Sequence, residues 1–115
     1  KFYYNFDKKK KPSFNKSIAE GASVKKIPKL NIQFLKKTVD MTSKASEIEI
    51  KKAMKFLYKK FKIKSEGAGA LALTPVLFSR KILNGFDCVI VPVCGSNISN
   101  KDFFNTIRNV KDPFF

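Results

Sequence analysis

The chain has 115 residues, the size of one domain or of a piece of a larger one, and a net charge of +15. Only Arg80 and Arg108 of its 24 basic residues are arginine, whereas readers of bases and phosphates lean on the bidentate guanidinium, so the lysines read as a solvated surface and a nucleic-acid partner is not expected. No apolar tract approaches the about 20 residues of a membrane helix, and the first residues lack the apolar core of a signal peptide, which points to a soluble, cytoplasmic protein without a membrane partner.

Residues 1–16, with the cluster Lys8 to Lys11, show no period and predict a loop or edge segment. Ile18-Ala19-Glu20-Gly21-Ala22-Ser23-Val24 is a short segment with a glycine where the backbone must turn or approach something closely. Asn31 can cap a helix through Lys37, with Ile32, Leu35 and Val39 or Phe34 facing inward. Val39-Asp40-Met41-Thr42 predicts a strand. Ser46-Glu47-Ile48-Glu49 is a capping box. It opens a helix whose Ile50, Ala53, Met54, Leu57 and Phe61 recur at helical spacing, with lysines on the other faces.

Ile63-Lys64-Ser65 is a strand-like link into Glu66, and Gly67 to Leu73 is small and apolar on every side. Thr74-Pro75 predicts a kink or a restarted helix, because proline inside a helix costs about 3 kcal/mol. Asn84-Gly85 is a turn, and Phe86 to Val93 reads as a strand buried on both faces. Ser99 or Asn100 can cap a last helix with the stripe Phe103, Phe104, Ile107 and Val110, ended by Asp112-Pro113.

Alternation of this kind predicts an α/β fold, part of an open twisted sheet with helices on both faces. Ligands of such sheets bind at the carboxyl ends of strands, where Glu66 and Cys94 are expected to fall. Cys88 and Cys94 lie on one run, about 20 Å apart if extended. That is beyond the about 7 Å between alpha carbons that a disulfide spans.

With no histidine, neither a Ser-His-Asp triad nor a histidine metal site can be built, and no metal ligands are assigned. Glu66-Gly67-Ala68-Gly69 lacks the third glycine and acidic partner of a dinucleotide fingerprint, and no phosphate loop of the Gly-x-x-x-x-Gly-Lys-Ser/Thr type occurs.

Five motifs remain in order: Ser17-Ile18-Ala19-Glu20-Gly21, Val39-Asp40, the capping-box helix, Glu66 to Ala72, and Val93-Cys94-Gly95-Ser96-Asn97-Ile98-Ser99. Over about residues 17 to 105 they resemble the C-terminal part of the pyridoxal-phosphate-dependent serine and threonine dehydratases of fold-type II, which include serine racemase. The resemblance implies the tryptophan synthase β-like fold, with residues 17–115 the C-terminal portion of the large catalytic domain and no regulatory domain after it. It implies pyridoxal 5'-phosphate as cofactor, a small amino acid as substrate and a homodimeric intact enzyme. The activity it implies is β-elimination of L-serine or L-threonine to a 2-oxo acid and ammonia.

By position, Cys94 would stand beside the pyridine nitrogen, Glu66 near the cofactor ring, and Gly21, Gly67 and Gly95 where backbone approaches closely. Asn97 corresponds to a position near a nucleotide effector in the racemase branch. Taken alone, Cys94 could equally be a buried small hydrophobe, and Glu66 an acid favoured by a helix start. Neither the Schiff-base lysine setting nor the glycine-rich phosphate run occurs in these 115 residues, so no catalytic residue is assigned and the chain alone is expected to be inactive. A small basic module for RNA or an acidic surface, or an inactive remnant, remain as alternatives.

Overall fold

The computed structural model describes residues 17–24 and 27–112, and the loop or edge segment expected over 1–16 lies outside them. In chain order come a 3-10 turn at Glu20–Ala22, α1 (Lys29–Thr38), α2 (Glu47–Phe61), α3 (Gly67–Leu71), α4 (Thr74–Phe78), a 3-10 turn at Arg80–Leu83, and α5 (Asn100–Ile107).

The longest helix, α2, is set by local chemistry at both ends. Ser46 Oγ accepts from the Glu49 N–H at 3.3 Å, and the Glu49 carboxylate accepts the Ser46 N–H at 2.6 Å, completing the expected capping box. At the other end Lys62 takes the left-handed conformation, φ 59°, and its N–H reaches the Leu57 and Tyr58 carbonyls. Between them Ile50, Ala53, Met54 and Leu57 form a buried stripe. Phe61, expected on that stripe, is the last helical residue and is 61% exposed.

Helices α3, α4 and α5 pack on α2. Each buried aliphatic or aromatic side chain contributes about 1.5–3 kcal/mol to this assembly. From α5, Phe103 is fully buried with the Tyr58 ring edge-on at 5.2 Å, and Ile107 and Val110 continue the stripe; Phe104, expected with them, is half exposed. Past α5, Lys59 Nζ pairs with Asp112 Oδ2 at 2.5 Å, and Lys55 Nζ donates to the Val110 carbonyl at 2.5 Å. The hydrogen bond from Lys59 holds the Asp112 carboxyl below the usual carboxylate range.

Thr74-Pro75 does restart a helix. Pro75 occupies the first turn of α4, where a missing N–H costs nothing, and Thr74 Oγ1 donates to the Leu71 carbonyl at 2.8 Å. Helix α1 begins two residues before the Asn31 cap expected for it, after Pro28 and without a side-chain cap. Ile32 and Leu35 are half-buried, but Phe34 and Val39 are exposed and do not face inward.

The α/β class is corrected. Among the described residues there is no strand, and the fold is helical. Val39 to Thr42 is irregular and exposed. Phe86 to Val93 is not buried on both faces: Val91 and Val93 touch the core, whereas Ile90 is 87% exposed. The physical reason lies in pairing. Such a run becomes a strand only when a second backbone supplies a ladder of hydrogen bonds, and from Asp87 to Cys94 the chain makes no hydrogen bond with any described residue. Val and Ile supply the propensity, but no partner strand is alongside among the described residues.

Candidate functional site

Three segments distant in sequence meet at one cleft. The first, 17–22, is drawn onto α2 by Glu47. Its Oε1 accepts the Ser17 hydroxyl at 2.6 Å and its Oε2 the Ile18 N–H at 2.9 Å. Burial raises the Glu47 pKa, but the hydrogen bonds from Ile18 and Ser17 act to lower it, and the carboxyl sits below its ordinary range. Anchored this way, Gly21 lies against α3, where an added Cβ would be 3.3 Å from Ala68 Cβ and 4.0 Å from Glu66 Oε1.

Glu66 supplies the second segment. It is the N-cap residue of α3, yet its side chain makes no capping hydrogen bond. The carboxylate runs instead beneath Gly95, the third segment. Gly95 has φ +91°, a region L side chains avoid, and a Cβ there would collide with the Glu66 carboxylate. The positive φ calls for glycine at 95, and a side chain there would in addition displace the Glu66 carboxylate.

The resulting cleft has a volume of about 290 Å³ and is lined by Glu20, Gly21, Glu66, Asn97 and Asp102 over Met54 and Ile98. Three of the chain's nine acidic residues thus converge on one place in a molecule of net charge +15. Among the described residues no group of side chains is arranged to hold a metal ion. The cleft suits a neutral or cationic ring edge and opposes an anion. A larger groove of about 710 Å³ along α1 is lined mainly by apolar residues such as Leu30 and Phe34. It brings in none of the expected site residues.

Of those residues, Gly21, Glu66 and Gly95 are brought together, and Asn97 lines the same cleft. Cys94 adjoins Gly95, but its side chain is exposed and not part of the lining. A buried small hydrophobe is therefore the wrong description of it. Glu66 and Cys94 do not sit at strand ends, since one is the N-cap of α3 and the other lies in an irregular segment. Asp102 and Ser65 were missed. Asp102 shows in the sequence only as the partner of the Ser99 cap, whose hydroxyl it accepts at 2.6 Å. Ser65 carries no periodic signal at all.

With this geometry in place, comparison with known proteins gives a relationship over part of the chain. Over 82 residues, 71% of the chain, the sequence is 37% identical to the L-threonine ammonia-lyase of Thermotoga maritima. The chain spans about a fifth of that protein's length (20%). No family model matches, and no solved structure matches at a significant level. The similarity supports a threonine dehydratase-like relationship for the matched stretch and no more. Among the described residues no helix is long and apolar enough to cross a membrane.

Proposed function

We propose that this chain carries the ring-facing part of the cofactor site of a pyridoxal-phosphate-dependent dehydratase acting on L-serine or L-threonine. The 37% identity over 82 residues carries the reading. The meeting of Gly21, Glu66 and Gly95 from three separate segments supports it. An amino-acid substrate, a homodimeric whole protein and a cytoplasmic location belong to the same proposal.

The residues present fit the ring of the cofactor and not its phosphate. Close backbone at Gly21 and Gly95 leaves the Glu66 carboxylate beside a flat approach, whereas Glu20, Glu66 and Asp102 would repel a phosphate dianion. When bound, pyridoxal phosphate withdraws electrons from the substrate's α-carbon. Glu66 would accept a hydrogen bond from the ring edge and so orient it. Cys94 would offer the ring nitrogen a weak S–H donor, without the fixed charge of a carboxylate.

The test uses pyridoxine, which keeps the ring but carries neither the phosphate that the cleft opposes nor an aldehyde that would form imines with the many lysines. Alkylation of Cys94 by iodoacetamide should slow about twofold or more while Cys88 is unchanged, as read by peptide mass spectrometry. Equal effects on both thiols, no effect, or the same effect from inorganic phosphate alone would remove the reading.

A further inference from the structure

Ser65 is only 1% exposed. Its Oγ lies 3.0 Å from the Glu66 carbonyl and 3.2 Å from the Gly95 carbonyl, 30 residues away. A hydroxyl has one proton, so the two acceptors share it. The Glu66 N–H also donates to the Gly95 carbonyl, at 3.1 Å. On the far side of Ser65, Gly69 lies so close to the Cys94 carbonyl that a Cβ would overlap it, and would also come 2.5 Å from Ser65 Oγ.

The Gly95 carbonyl is therefore held by Ser65 and Glu66, and the Cys94 carbonyl lies against Gly69. Helix capping does not account for Ser65, because the N-cap of α3 is Glu66 and the Ser65 hydroxyl gives its proton to carbonyls rather than accepting from N–H groups. Apolar packing does not account for it either, since alanine would fill the same space without a polar group to satisfy.

We infer that Ser65 is a positioning residue that clasps the Cys94-Gly95 turn to the start of α3 and so fixes Cys94 relative to Glu66. Its bearing on a cofactor rests on the function proposed above. The clasp itself does not. Without the hydroxyl, the Gly95 carbonyl keeps a single donor and the turn can move away from Gly69.

The experiment compares the alkylation rate of Cys94 with that of Cys88, the internal reference, in the full chain without any cofactor. Ser65→Ala should raise the Cys94 to Cys88 ratio by about threefold or more, and Gly69→Ala, which pushes on the same carbonyl, should raise it too. Ser46→Ala removes the α2 cap at a distance from Cys94 and lowers stability generally, so it should change both thiols together. A rise below about threefold in Ser65→Ala, or an equal rise in Ser46→Ala, overturns the clasp and leaves Ser65 as ordinary buried structure. Because no cofactor enters the assay, failure of the pyridoxine experiment would remove the cofactor reading and leave this result standing.

Discussion

Glu47 shows how one side chain reaches from the middle of the molecule to the edge of the cleft. It begins α2, and its two oxygens hold Ser17 and Ile18, about 30 residues away, which in turn bring Gly21 to Glu66. The lowered pKa of Glu47 has a thermodynamic sign. A carboxyl that ionises more readily folded than unfolded stabilises the fold above its unfolded pKa, and that contribution is lost as pH falls through the lower, folded value. Glu47→Gln should therefore lower the melting temperature at pH 7, and the difference from the native chain should shrink as pH falls below about 4.3. Thermal melts monitored by circular dichroism at pH 7 and pH 3 decide it; an unchanged difference at both would mean the charge plays no part. Nothing in the sequence marks this contact, because it joins residues 17 and 18 to residue 47 and has no local signature. Glu49, by contrast, was legible, since its partner Ser46 stands three positions away.

At the scale of elements, the sequence is most readable where structure depends on neighbours in the chain. The α2 capping box, the Pro75 restart and the Ser99 cap of α5, which accepts the Asp102 N–H at 3.0 Å, all rest on bonds spanning a few residues, and all form. The start of α1 was less readable because Pro28 precedes it without offering a side-chain cap. One end carries a cost: Lys62, a residue with a Cβ, adopts a left-handed conformation to close α2. Lys62→Gly keeps the closing bonds to Leu57 and Tyr58, relieves that strain and should stabilise the chain by about 0.5–1 kcal/mol. Chemical denaturation measures this as a higher midpoint at unchanged slope. A lower midpoint would show that the lysine stem contributes more by packing than the backbone loses.

For the whole molecule, the cleft was legible as a set of residues and the architecture around it was not. Glu66, Gly21 and Gly95 were identified by motif and do meet, but the sheet expected to bring them together is absent from the described residues; helix starts and turns do it instead. The run from Phe86 to Val93 has the composition of a strand, yet a strand is a property of two backbones, and composition reports on one. The same run has a consequence for how the chain can be cut. A backbone that makes no hydrogen bond with any described residue from Asp87 to Cys94 opens to a protease at less cost than a helix does. At limiting chymotrypsin, scission after Phe86 should precede scission after Tyr58 within α2, as read by mass spectrometry over time. The two pieces should then stay together in size-exclusion chromatography, because Phe103 and Ile107 remain packed on α2 and Asp112 remains paired with Lys59. Adding denaturant should part them, so the covalent link between the Glu66 side of the cleft and its Asn97 side would be dispensable once folding is complete.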